Sequence, residues 1–366
     1  MSKLYFPNFN GLRFFAALAV IIHHTEQFKS FYKIENHWGL NSIKIIGNLG
    51  VSFFFVLSGF LITYFLIFEK KTHGFINYKY FFFRRLLRIW PLYFLIILLS
   101  FFVFPEFEIL HFKFSFNLNS DFQIKLILFL LFLPNFVFRL FPMTPFASQT
   151  WSIGVEEQFY LIWPLVISYF KKLKIVFILS IILFPIVKLI LIHFSIKTGS
   201  TGTLHFISKI FSDLSISSLA LGSLAAYFVI EKKSIVNLFH NKWLYRVTMT
   251  FLCVLVFFGV EFKFIHYEIY SLLFTIIILY LGTSYQSKTS ILESNFFKYL
   301  GKISYGIYMY HPVCIVLSIN IFLKLELLNN FNLYVSTLLM TIVISSISYE
   351  YFESKFLKLK KNYMTN

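Results

Sequence analysis

Charged residues are scarce in this chain: only 13% of its residues are Asp, Glu, Lys or Arg, whereas 58% are hydrophobic. This composition excludes an ordinary soluble domain and is typical of an α-helical protein that crosses a membrane many times. Cysteine is also rare, and Cys253 and Cys314 lie in separate apolar segments. Their separation argues against a disulfide framework and against a cysteine metal site, so we expect both thiols to face lipid or the protein core and predict no bound metal.

Acidic residues are outnumbered by basic residues, 16 to 33, which gives a formal net charge of +17. In a soluble protein this excess would suggest a nucleic-acid partner, but here the lysines and arginines fall between apolar runs. Cytoplasmic loops that face anionic lipid have this pattern. We therefore predict the lipid bilayer, and no nucleic acid, as the partner of these charges.

The sequence also lacks internal repeats, low-complexity linkers and long hydrophilic segments. No cleavable signal peptide is expected, because no small-residue cleavage site follows the first apolar run. We therefore expect one membrane domain over residues 1–366, without an appended soluble domain.

Apolar runs long enough to cross a bilayer recur along the chain. Ten of them predict transmembrane helices, at about 12–28, 46–68, 89–104, 155–170, 175–195, 208–230, 246–260, 268–285, 304–323 and 332–352. Basic residues follow the second run, at Lys70, Lys71, Lys79, Arg84, Arg85 and Arg88, and the last run, at Lys355, Lys358, Lys360 and Lys361. By the positive-inside rule, these clusters place both termini in the cytoplasm.

An eleventh apolar run, near residues 124–141, does not fit this topology as a full crossing. Pro134 and Asn135 interrupt it. Proline removes a backbone donor and disfavours helix at the preceding residue. We therefore predict a re-entrant or broken segment that packs against protein or lines a wet cavity. The predicted fold is an all-α polytopic membrane protein with about ten transmembrane helices and this one broken segment.

Two ionisable residues lie in the first predicted crossing, GLRFFAALAVIIHH. Arg13 and His24 are separated by about three helical turns, so they share a face and stand ~16 Å apart. Ionisable groups at membrane depth are costly and often functional. The alternative is an arginine that anchors the helix at the lipid headgroups and a histidine that a neighbour satisfies.

Three arginines begin the third crossing, and Arg85 and Arg88 are spaced i, i+3 on one helix face. Guanidinium groups bind phosphate oxygens through two hydrogen bonds, which suits a phosphorylated ligand from the cytoplasm. The alternative is that these arginines are topology anchors at lipid headgroups.

The segment SQTWSIGVEEQFYLIWP places Ser152, Glu156, Glu157 and Tyr160 at the mouth of the predicted crossing at about 155–170. Adjacent carboxylates before an apolar run cannot both face lipid, so at least one should face a polar cavity. For Glu157 we expect a capping role in the first helical turn.

Near the end of the chain, the segment SYGIYMYHPV carries Tyr305, Tyr308 and His311 on neighbouring turns of a helix. An interfacial aromatic belt explains the tyrosines but explains His311 less well.

Small residues lie in the second predicted crossing, at Gly50, Ser58 and Gly59. They favour close helix packing over substrate contact.

These segments together resemble the acyltransferase 3 family of integral membrane acyltransferases. The resemblance rests on an ordered set of motifs: GLRFFAALAVIIHH, GVSFFFVLSGFLIT, RRLLRIWPLYF, TWSIGVEEQFYLIWP, SYGIYMYHPV and SYEYFESKF. It covers nearly the whole chain. The sequence departs from the family at Ser217, where many members have a charged residue, and the nearest acid is Asp213.

The resemblance implies roles for individual residues. His24 matches the essential histidine, Arg13 its partner, and Glu156 the more characteristic family carboxylate. Arg85 and Arg88 match the pair that holds the acyl-CoA donor. His311 and Glu353 match late motif positions of the family. Further candidates to support the site or contact the acceptor are Ser152, Tyr160, Tyr308 and, again, His311.

The resemblance implies an O-acyltransferase of the inner (cytoplasmic) membrane. It would move an acyl group, by family default acetyl from acetyl-CoA, to a hydroxyl of a carbohydrate or glycolipid acceptor such as a surface polysaccharide, lipopolysaccharide O-antigen or exported glycan. Either His24 activates the hydroxyl directly or it carries the acyl group covalently. Some relatives carry a soluble domain after the membrane part, and whatever that domain adds is expected either to be missing or to come from a separate periplasmic partner.

The alternative to an enzyme is a transporter or exporter of small acids or glycan intermediates, because buried charges and a broken element also describe secondary carriers. Such carriers commonly have two pseudo-repeated halves with interrupted helices. The sequence shows no corresponding pair of interrupted helices.

Overall fold

A computed structural model describes residues 5–112, 121–198, 202–284 and 291–359. In these ranges the regular structure is helical and no strand occurs. The α-helices are α1 (Phe9–Phe31), α2 (Asn41–His73), α3 (Tyr78–Leu98), α4 (Phe122–Leu130), α5 (Pro134–Leu140), α6 (Trp151–Tyr169), α7 (Leu173–Thr198), α8 (Thr203–Asp213), α9 (Ile216–Glu231), α10 (Lys233–Leu238), α11 (Lys242–Phe257), α12 (His266–Thr283), α13 (Asn295–Lys302), α14 (Ser304–Lys324), α15 (Asn330–Ser348) and α16 (Ser354–Leu359). A π-helical turn follows α3 at Leu99–Val103, and another joins α15 to α16 at Tyr349–Glu353.

Seven helical stretches of the described chain are long and apolar enough to cross a membrane. They are Asn41–His73, Tyr78–Glu106, Leu173–Lys197, Thr203–Glu231, His266–Thr283, Ser304–Lys324 and Asn330–Leu359. The predicted all-α multi-pass membrane protein is confirmed.

The other three of the ten predicted crossings coincide with α1, α6 and α11, which do not qualify by length and hydropathy. Polar residues lower the hydropathy of α1 and α6, and α11 has only 16 residues. The cytoplasmic orientation of the termini stays a prediction, and two of the lysines behind it, Lys360 and Lys361, lie outside the described residues.

The apolar run near 124–141 is broken, as predicted. It forms two short helices, α4 with 9 residues and α5 with 7, and neither can span a bilayer. Phe132 lies between them with φ 58, in the left-handed region that L-residues rarely adopt. Pro134 begins α5, where its missing N–H costs nothing.

The chain forms two compact units. The first unit comprises residues 1–19, 44–76 and 159–302. Its helix α7 packs on α8 and α9, and α12 packs on α9 and α11. A Cβ atom at Gly59 would stand 2.0 Å from the Leu219 carbonyl oxygen, and one at Gly222 would stand 2.0 Å from the Val56 carbonyl oxygen. Glycine therefore permits α2 and α9 to touch, and the predicted packing role of Gly59 is confirmed.

A buried ion pair also lies in the first unit. Lys188 Nζ is 3.2 Å from Glu268 Oε1, and Ser217 donates a hydrogen bond of 2.9 Å to the same oxygen. The carboxylate that contacts Ser217 therefore belongs to Glu268, a residue of α12.

The second unit comprises residues 20–43, 77–158 and 303–366. Its centre is the pair α14 and α15, and α3 packs on both α14 and α16. The buried side chains of α14 include Tyr308 and His311. This unit therefore contains most of the predicted site residues.

Replacing Gly222 with alanine tests the contact between α2 and α9. We expect Gly222→Ala to lower the free energy of unfolding by about 1–3 kcal/mol, because its new methyl group overlaps a backbone oxygen. Thermal unfolding in detergent measures the effect. Gly39→Ala is the matched control, since nothing lies within 4 Å of a Cβ atom there. Equal melting of the two variants would contradict the packing.

Candidate active site

Two histidines from α1 and α14 form a direct hydrogen bond in the second unit. His24 Nδ1 lies 2.8 Å from His311 Nε2, and the two rings are nearly parallel, with an interplanar angle of 17°. His311 is fully buried and His24 is half-buried. The structure therefore gives His24 a specific partner, which the sequence could not identify.

The hydrogen-bond partners of His311 determine which nitrogen of each ring carries the proton. Pro312 has no N–H, so it cannot donate the usual helical hydrogen bond to the carbonyl oxygen of Tyr308. His311 Nδ1 lies 2.7 Å from that oxygen and must donate to it, because a carbonyl only accepts. In a neutral His311, Nε2 then accepts the proton of His24 Nδ1. His24 Nε2 is left with a lone pair and makes no hydrogen bond to any described residue.

Tyr308 connects α14 to the start of α6. Its hydroxyl donates to the Gln149 carbonyl oxygen at 2.7 Å and lies 2.8 Å from Ser152 Oγ. Since the phenol has one proton, Ser152 must donate to Tyr308. Tyr308 is only 6% exposed, so the aromatic-belt interpretation is wrong for this residue. The network fixes α6 against α14 next to the histidine pair.

His23 has a different environment from His24. Its Nδ1 lies 2.8 Å from the Ile43 carbonyl oxygen, and its ring packs against Trp38 with centroids 5.0 Å apart. The structure therefore gives His23 structural contacts with the loop after α1 and with the first turn of α2.

An ion pair that the sequence analysis missed lies on α1 just after His24. Glu26 and Lys29 are 0% and 1% exposed, and their charged atoms are 2.7 Å apart. Tyr334 donates to Glu26 at 2.7 Å, and Lys29 donates to Asn330 at 2.7 Å, so α15 holds this end of α1. Opposite charges at i, i+3 in a largely apolar helix were the available signal.

The predicted arginines of α3 lie near two carboxylates of the second unit. Arg85 is half-buried and interacts electrostatically with Glu157, whereas Arg88 is exposed and interacts with Glu353. Glu353 is buried and accepts a hydrogen bond of 3.3 Å from Ser348. The motif around Glu353, distant in sequence, is therefore near the arginine pair.

The capping role expected for Glu157 is wrong. The helix α6 begins at Trp151, and its first turn contains no acidic residue. Glu157 Oε2 instead accepts a hydrogen bond of 3.2 Å from Trp90 Nε1 of α3. Glu156, the carboxylate favoured by the family resemblance, is half-buried on α6.

The helix α14 carries contacts to both ends of this site. Tyr305 donates to the Ile89 carbonyl oxygen, one residue after Arg88, at 2.9 Å. Tyr308 and His311 follow at intervals of three residues, so the arginine end and the histidine pair are separated by ~9 Å along the helix axis.

Two predicted site residues belong to the first unit. Arg13 is half-buried on α1, and the Tyr160 hydroxyl donates to Ser58 Oγ at 3.4 Å. The role predicted for Arg13 stays a prediction. Within the described ranges, no group of three or more His, Cys, Asp or Glu side chains is placed to hold a metal ion.

The chain matches a known family of acyltransferases. A model of the acyltransferase domain, Acyl_transf_3, matches residues 6–350. The chain belongs to this acyltransferase family. The match runs from before α1 into the π-helical turn after α15, so it includes both histidines and both arginines. No solved structure matches the chain.

Several curated relatives are O-acetyltransferases by name. O-acetyltransferase OatA of Staphylococcus aureus is 29% identical over 385 residues, which cover 96% of this chain and 57% of that protein. Peptidoglycan O-acetyltransferase OatA of Listeria monocytogenes is 32% identical over 47% of this chain and 25% of its own length. Putative peptidoglycan O-acetyltransferase YrhL of Bacillus subtilis is 31% identical over 44% and 23%. The chain thus spans little more than half of the Staphylococcus relative.

The proton assignment predicts selective labelling by diethyl pyrocarbonate, which attacks neutral imidazole nitrogens. We expect rapid modification of His24, because Nε2 has a lone pair, and protection of His311, whose two nitrogens are both hydrogen-bonded. Peptide mass spectrometry measures both rates, with the exposed His37 as the positive control. Faster labelling of His311 than of His24 would contradict the assignment.

Proposed function

We propose that this chain is an O-acetyltransferase of the cytoplasmic membrane that moves an acetyl group from acetyl-CoA to a hydroxyl of a cell-envelope glycan. The observation that carries this proposal is the hydrogen bond from His24 to His311, which leaves Nε2 of His24 as a base in a chain of an acyltransferase family.

The chemistry requires removal of a proton from the acceptor. A sugar hydroxyl is a poor nucleophile until a base takes its proton, and a neutral imidazole suits this task. His24 Nε2 accepts the hydroxyl proton while the oxygen attacks the thioester carbon. The bond from that carbon to sulfur then breaks, and the proton passes to the departing thiolate of CoA.

His311 supports this step without touching the acceptor. Its Nε2 accepts the proton of His24 Nδ1 and so holds His24 in the tautomer that exposes Nε2 as the base. The same hydrogen bond stabilises the imidazolium that forms when His24 takes a second proton. His311 thus has the orienting role that a carboxylate has in a serine hydrolase triad.

The arginine pair supports acetyl-CoA as the donor. Arg85 and Arg88 project from one face of α3, and guanidinium groups bind phosphate oxygens through paired hydrogen bonds. The positive charges around α3 predict a cytoplasmic position, where acetyl-CoA is available. Tyr308 and Ser152 donate to partners within the protein, so we assign them to support of the site.

The acceptor is proposed from the names of the relatives. Two of them are named for peptidoglycan, which makes its sugar hydroxyls the first acceptor to test before other exported glycans. A separate periplasmic partner remains a prediction. Membership of an acyltransferase family favours this function over the transporter alternative.

Separate replacement of the two adjacent histidines tests the catalytic assignment. We expect His24→Ala to lower kcat by about 10²–10⁴, the range of general-base catalysis, because no base remains for the acceptor hydroxyl. His23→Ala should retain most of the activity. Transfer of labelled acetyl groups to a glycan acceptor by purified protein measures both. Wild-type rates in the His24→Ala protein would contradict the mechanism.

Lysine replacements test the donor site. We expect Arg85→Lys or Arg88→Lys to raise the KM for acetyl-CoA by about tenfold with little change in kcat, because lysine keeps the charge but loses the paired hydrogen bonds. Initial rates at varied acetyl-CoA give both constants. Arg246→Lys, on α11 of the first unit, is the control. An unchanged KM in both α3 variants would remove these residues from the donor site.

A further inference from the structure

One carboxylate oxygen in the second unit is buried without a hydrogen-bond partner. Glu157 Oε2 accepts the hydrogen bond from Trp90, but Oε1 has no partner among the described residues although it is shielded from solvent. Burial of a carboxylate oxygen without a hydrogen bond is costly, so native proteins rarely retain one without a use.

Three neutral donors near Glu157 are already engaged, and Arg85, whose charge also lies near this carboxylate, donates no hydrogen bond to Oε1. The single N–H of the Trp90 indole is used at Oε2. The Tyr93 hydroxyl donates to the Phe129 carbonyl oxygen at 2.8 Å, and the Tyr305 hydroxyl donates to Ile89 at 2.9 Å. None of these three donors serves Oε1 unless an existing hydrogen bond breaks.

The broken segment holds the Trp90 side of this site in place. The ring of Phe132, the residue with positive φ, packs on Trp90 and Tyr93 with centroids 4.9 and 4.5 Å apart. Gln158, next to Glu157, donates to Asn135 at 3.0 Å and so ties α6 to α5. Strained backbone that is held by surrounding contacts is characteristic of functional sites.

The position of Glu157 on α6 relates it to the proposed reaction. It lies five residues after Ser152, which contacts Tyr308 beside the histidine pair, and it interacts electrostatically with Arg85. The rise between Ser152 and Glu157 is ~7.5 Å. Glu157 therefore lies between the histidine pair and the arginine pair, and it is nearer to the arginines.

We propose that Glu157 binds the acyl donor and that its Oε1 accepts a hydrogen bond from an amide N–H of the pantetheine arm. This inference rests on the proposed function. Between the phosphates and the thioester of acetyl-CoA, the arm carries two secondary amides, and each presents one N–H. A buried carboxylate oxygen that needs a donor is complementary to such a group.

A comparison of acetyl-CoA with amide-to-ester analogues of the pantetheine arm tests this contact. The probes are acetyl-CoA and its analogues in which one pantetheine amide N–H is replaced by an ester oxygen. For the wild-type protein we expect kcat/KM to fall by about tenfold with one of these analogues, the usual effect of losing a hydrogen bond to a charged group. For Glu157→Leu we expect a similar loss with acetyl-CoA and no further loss with that analogue.

Two further variants separate binding from folding. In Glu157→Gln the single amide oxygen accepts from Trp90 and an NH2 donor takes the place of Oε1, so this variant should lose the distinction between the donors while keeping the shape of the side chain. Trp90→Phe removes the donor to Oε2 but leaves Oε1 in place, so it should still distinguish acetyl-CoA from the analogue. Thermal unfolding establishes whether each variant is folded.

The outcomes are distinct. Equal losses of Glu157→Leu with both donors would show a merely structural role and overturn the proposal, as would a wild-type protein that accepts every analogue as well as acetyl-CoA. A wild-type protein that transfers no acetyl group from acetyl-CoA would overturn the proposed function itself.

Discussion

The hydrogen bond between His24 and His311 is the constraint on which the site depends. Two imidazole nitrogens at 2.8 Å need one donor and one acceptor, so the pair cannot carry a proton on both contacting atoms. Together with the Tyr308 carbonyl oxygen, which must accept from His311 Nδ1, that restriction gives each neutral ring one defined tautomer. The remaining contacts of α14 hold the geometry in which the restriction applies.

Several buried polar groups of the second unit are hydrogen-bonded through contacts between helices that are distant in sequence. Glu26 and Lys29 bind α15, Tyr308 binds the start of α6, and Tyr305 binds α3. In a membrane protein such contacts replace the water that would otherwise solvate these groups. The helix α14 itself makes polar contacts with α1, α3 and α6, although most of its residues are apolar.

The sequence predicted the helical membrane fold and the break at Pro134, and it supplied the candidate residues at the two ends of the proposed site. Those features depend on composition, local backbone chemistry and short spacings, which a single chain displays directly. It did not predict that His24 meets His311, because residues 287 positions apart are joined only by tertiary packing. The sequence likewise could not show that Glu157 contacts Trp90, since that contact depends on how α6 is rotated against α3.

Pro312 has an effect that extends beyond the shape of α14. By leaving the Tyr308 carbonyl without a backbone donor, it makes a side-chain proton of His311 part of the helical hydrogen bonding. The protonation pattern of the histidine pair is thus encoded in the covalent structure of a residue that does not ionise. Any residue other than proline at position 312 would offer its own N–H to the Tyr308 carbonyl oxygen. The constraint that sets the tautomers of His311 and His24 would then be weaker.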